Sequence, residues 1–165
     1  MSLRFINSKS FRLFFGLIYF SSITFAAPWF IDANFENQSF DIINAEYDPP
    51  NGDNPSSLSW VLSGDSNWII DTESFEGSYS ARAGNVEYNQ TSIITATVNI
   101  PVIKGTLKFN YKIASTYDLV KFYINDILEE EWTEATNGWV EFSKLVNPAN
   151  YSLKWVYSSA GYDTY

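Results

Sequence analysis

From Gly105 to Ile113 the chain alternates between apolar and polar residues. Leu107, Phe109, Tyr111 and Ile113 fall on one side, and Thr106, Lys108, Asn110 and Lys112 on the other. A period of two marks an extended strand, because successive strand side chains point to opposite faces. A helix, with about 3.6 residues per turn, would scatter these apolar residues around its surface. The same alternation returns at Tyr79 to Ala83, Thr91 to Ile100, Leu119 to Ile124, Ile127 to Thr133, Trp139 to Val146 and Tyr151 to Ser158. Asn125-Asp126 separates two of these runs, and Asn and Asp tolerate the positive φ of a tight hairpin turn. Many short strands, each with an apolar face to cover, predict an all-β chain of two packed antiparallel sheets in a jelly-roll sandwich.

The residues before Trp60 read differently. Asp41 to Ser59 holds Pro49-Pro50, Asn51-Gly52 and Asn54-Pro55, which break regular structure and predict one long loop. Asp48, Asn51, Asp53 and Asn54 miss the spacing of a calcium-binding loop and are expected to be a solvated acidic stretch. Further upstream, Arg4, Lys9 and Arg12 precede an uncharged apolar run from Leu13 to Phe20, followed by the small-residue exit Thr24-Phe25-Ala26. These three zones match a signal peptide over residues 1–26, cleaved after Ala26 with Ala27 as the neighbouring alternative. The uncharged stretch from Leu13 to Ala27 falls short of the roughly 20 residues needed to span a bilayer, so no transmembrane segment is expected in the mature chain. Residues 27–165 then form a single secreted or cell-surface domain, with the periplasm as another destination.

Composition narrows the chemistry. The chain has 165 residues, no Cys and no His. Disulfides, thiolate or imidazole zinc sites and His-based triads are therefore excluded. Ten basic residues against nineteen acidic ones give a net charge of -9, and loss of the leader's basic residues makes the exported domain more acidic still. Such a surface repels phosphate backbones, so nucleic acid is not an expected partner. A chain of this size buries about two thirds of its unfolded surface, enough to fold without cross-links. Exported yet lacking Cys, it points to a bacterial surface rather than to a disulfide-rich animal ectodomain. Asn37-Gln38-Ser39, Asn89-Gln90-Thr91 and Asn150-Tyr151-Ser152 have the form of glycosylation acceptors, but in so Asn-, Ser- and Thr-rich a chain they are expected to be surface turns.

From about Asn34 onward the chain carries an ordered set of landmarks: Phe35-Glu36, Trp60, Gly64-Asp65, Trp68 and the block Gly77 to Arg82. With GTLKFNYKIASTYDLVKFYINDILEEEW and LKWVYSSAGYDT, this set resembles the bacterial MAM-like jelly-roll module of the concanavalin A-like sandwich group. Asn125-Asp126 stands where that family usually has Asp-Gly. The family continues beyond the segment matching Gly161-Tyr162-Asp163 into a last strand carrying an Asp, so the resemblance implies a domain incomplete at its C-terminal end. It also implies a structural calcium held by Glu36, by backbone oxygens near the Gly-Ser-Tyr block and by that last-strand carboxylate. Calcium takes six to eight oxygens, which Glu36 cannot supply unaided.

Two further groups invite functional readings. Six Trp residues, Trp29, Trp60, Trp68, Trp132, Trp139 and Trp155, could stack on sugar rings, although most should be core. Trp139 has the most polar setting, sharing a strand face with Glu141 and Ser143. Glu129 and Glu131, at i and i+2 on one predicted strand, approach the separation of about 5 to 5.5 Å required of a retaining glycosidase. The simpler expectation is that these charges protect a sheet edge. The leading expectation is thus a non-catalytic binding or adhesion module recognising a glycan or surface protein; a structural spacer comes next and a polysaccharide hydrolase third.

Overall fold

A computed structural model describes residues 11–14, 18–19, 30–31, 33–44, 57–100, 105–116 and 118–159. The described elements are all strands. In chain order they are β1 (Phe11–Phe14), β2 (Ile18–Tyr19), β3 (Phe30–Ile31), β4 (Ile43–Asn44), β5 (Ser57–Gly64), β6 (Ile69–Asp71) and β7 (Ser80–Arg82), then β8 (Thr91–Ile100), β9 (Gly105–Ile113), β10 (Asp118–Ile124), β11 (Ile127–Trp132), β12 (Val140–Val146) and β13 (Ala149–Ser159). Among the described residues no helix is long and apolar enough to cross a membrane.

Two sheets carry the architecture. One has the order β12-β9-β1-β7-β6 and the other β11-β10-β13-β8-β5-β4, while β2 and β3 form a short ribbon. Every pairing between these strands is antiparallel. β8, rich in the β-branched residues that suit a pleated surface, buries Ser92, Ile94, Ala96, Val98 and Ile100 and turns the alternate positions outward. On β9, Leu107, Phe109, Tyr111 and Ile113 are buried, the stripe expected from the sequence.

The inner faces of the two sheets meet through aromatic rings. Phe109 of β9 packs edge-on against Phe122 of β10 at 5.0 Å and Trp155 of β13 at 5.3 Å, and stacks on Phe142 of β12 at 4.7 Å. Burying a Phe side chain contributes about 1.5–3 kcal/mol, and well-placed ring pairs add about 0.5–1.5 kcal/mol more. Asn125 and Asp126 form the predicted hairpin turn with φ of 50° and 63°. Asn125 then couples β10 to β13, donating from its N–H to Ser152 O and accepting from Ser152 N through its side chain, both at 2.8 Å.

The long loop needs correction at both ends. Ile43 and Asn44 pair with Leu58 and Ser57, so strands close in from each side of the turn-forming stretch. Leu58, Trp60 and Leu62 lie on the inner side of β5, and packing against β8 overrides the weak propensity of Ser57 to Ser59. Of the three glycosylation-like triplets, Asn150 belongs to β13 rather than to a turn, and its side chain accepts from Asn99 at 2.6 Å. Residues 11–14, within the segment that reads as a signal peptide, form β1, a strand paired on both sides. The cleavage site at Ala26, the acidic residues Asp48 to Asn54, Trp29 and Gly161 to Asp163 lie outside the described residues.

Candidate functional site

Glu36 meets the Gly-Ser-Tyr block directly. Its Oε1 accepts hydrogen bonds from Ser78 N at 2.7 Å and Tyr79 N at 3.2 Å. The turn that aims it has Phe35 at φ 58° with its ring in the core, and Gly77 faces it at φ 70°. A Cβ on Gly77 would collide with Glu36 Oε1, so the approach needs glycine both for its φ and for space. The groups converging on this oxygen are N–H donors, and the described residues contain no group of three or more acidic side chains able to hold a metal. A cation wants oxygens around it. Through Oε1, these residues build a carboxylate clamp on the connection before β7.

The acidic cluster is split by a β-bulge. Glu131 lies opposite Lys121 and Glu130 opposite Phe122, but Leu128 is already opposite Tyr123, which leaves Glu129 as the extra residue. An inserted residue reverses the alternation, so Glu129 and Glu131 do not share a face as the spacing had suggested. Glu129 pairs with Lys144 on β12, and Glu131 with Lys121 on β10 at 3.2 Å. Both act as edge charges held by lysines.

Of the Trp residues described, Trp68 and Trp155 are buried, and Trp60 and Trp132 pack half-buried against the core. Trp139 differs. Its ring lies 6.3 Å from that of Phe75 at an interplanar angle of 63°, and Phe75 is 51% exposed. The two rings come from separate connections, residues 72–79 and 133–139, each pinned to the sheet. Thr136 accepts from Ile113 N at 2.9 Å, donates to Gly138 O at 2.7 Å, and returns its own N–H to Ile113 O at 2.9 Å. On the Phe75 side, Ser80 Oγ donates to Glu73 O at 2.6 Å, Ser74 Oγ to Gly77 O at 2.9 Å, and Lys112 pairs with Glu73. The Glu36 clamp closes the end of this connection. An exposed ring beside a half-buried one offers apolar ring faces on which a ligand can stack. Phe75 was missed from the sequence because nothing in Ser74-Phe75-Glu76 distinguishes an exposed ring from a core ring. Comparison of the chain with protein-family models, curated proteins and solved structures gives no match.

Proposed function

We propose that this chain is a bacterial MAM-like jelly-roll domain of the concanavalin A-like type, exported by removal of residues 1–26. In this reading it acts outside the cell as a non-catalytic binding or adhesion module. The observation that carries the proposal is the Phe75–Trp139 pair, an aromatic platform on two anchored connections at one end of the sandwich. Pyranose rings and extended side chains both offer the C–H faces such a platform accepts, and glycans of a surface matrix are the ligand class favoured here. Glycan and protein arrays probed with the full chain, with Trp139→Ala and with Phe75→Ala test the proposal. Binding by the full chain that both variants lose is the expected result; an unaltered array pattern in the variants would count against the platform.

A further inference from the structure

The central strand of the five-stranded sheet is β1, drawn from the segment that reads as an export signal. It pairs with β7 through Arg12 opposite Arg82 and Leu13 opposite Ala81. On its other side it pairs with β9 through Phe11 opposite Ile113, Arg12 opposite Lys112, Leu13 opposite Tyr111 and Phe14 opposite Asn110. β7 and β9 are not paired with each other. Strands that flank a third stand about 9–10 Å apart, twice the ladder spacing, so loss of β1 opens two facing rows of backbone N–H and C=O groups.

The walls of this slot are chemically specific. The register row of Leu13 runs into Ala81 and Tyr111, and that of Phe11 into Ile113, all three buried. The row of Arg12 runs between Arg82 and Lys112, both cationic. Like charges directly opposite one another in an antiparallel pair are destabilising. Arg82 and Lys112 turn instead to carboxylates, Asp71 at 2.6 Å and Glu73 respectively. The middle row therefore suits an acidic residue better than the arginine now placed there.

We infer that the space between β7 and β9 is a strand-acceptor site. Its occupant is an extended segment of a partner polypeptide with apolar, acidic, apolar alternation, which replaces β1 once residues 1–26 have been removed. Backbone pairing on both sides supplies affinity, and the alternate rows supply specificity, as in other strand-addition complexes. The vacating of the slot rests on the export reading above, whereas its charge preference can be read in the intact chain.

Two measurements test this. Thermal unfolding of the full chain is compared with Arg12→Gln and Arg12→Glu. The Glu variant should melt about 2–5 °C above the Gln variant, even though it adds negative charge to a chain already at -9. Adding Lys112→Glu should reverse the order. Equal melting of the Glu and Gln variants overturns the charge selectivity. Protein recovered after export is then titrated with fluorescent peptides spanning residues 10–16 with Arg, Gln or Glu at position 12. The Glu peptide should bind about tenfold more tightly than the Gln peptide. Absence of binding by all three peptides overturns the acceptor role, and an exported product that keeps residues 1–26 overturns the vacating step.

Discussion

Glu36 accepts a hydrogen bond from Ser78 N at 2.7 Å, a contact that spans 42 positions of chain and fixes one end of the connection carrying Phe75. Charge-assisted bonds of this kind are about twice as strong as neutral ones, and the Glu36 carboxylate makes two. Glu36 is exposed and a Gln amide oxygen can still accept, so Glu36→Gln should destabilise the domain by about 0.5–1.5 kcal/mol. The loss in denaturant unfolding should be the same with calcium as with chelator. A calcium-dependent difference would mark Glu36 as a metal ligand.

Gly77→Ala should be more damaging than a loop substitution normally is. The new methyl must displace the Glu36 carboxylate and adopt the φ of 70° that side chains disfavour. Combining it with Glu36→Gln should destabilise by less than the sum of the two, since both act on one contact; a double-mutant cycle reads that coupling directly.

Tyr157 donates to Asp118 at 2.7 Å inside the core, joining β13 to β10. Burial, then the hydrogen bond and the charge of Asp118, push the phenol far above its ordinary range; Tyr111 is also raised, first by burial and then by Glu130. A phenol whose folded pKa lies above its unfolded value stabilises fully below the unfolded value of about 10 and loses that contribution as pH rises beyond it. Stability should thus fall steeply on the alkaline side of pH 10, the ordinary tyrosine pKa. Tyr157→Phe should flatten that fall and destabilise the chain at pH 7 by about 1–3 kcal/mol, because Asp118 keeps its burial and loses its donor. Urea titrations from neutral to alkaline pH test both statements.

Phe109 touches rings of both sheets, so Phe109→Ala should destabilise by about 3–5 kcal/mol. Glu129→Gln and Glu131→Gln should each change stability by less than about 1 kcal/mol, as expected of partly exposed ion pairs. The Glu129 change should be the larger, since that side chain is 20% exposed against 44% for Glu131. Chemical denaturation of the three variants ranks them.

The strand pattern was legible in residues such as Leu107, Phe109, Tyr111 and Ile113 because alternation is a local property, repeated every second residue whatever lies opposite. The Asn125-Asp126 hairpin was legible for the same reason, a turn being a matter of backbone φ at two positions. Glu129 shows where local reading stops. A bulge is defined by the partner strand, and nothing within Leu128 to Trp132 reveals that one residue is left over against β10. Phe75 and Trp139 are more than sixty positions apart, and their meeting depends on where two separate connections leave the sheets.

Periodicity and turn chemistry thus established that this chain is built of strands with one oily face each, because burial of apolar surface acts on every strand alike. Strand order, the placing of Phe11–Phe14 between β7 and β9, and the meeting of Glu36 with Ser78 and Tyr79 arose from long-range pairing. Such pairing is settled by which backbone edges and side chains can be satisfied together in three dimensions, and no short stretch of residues carries that information.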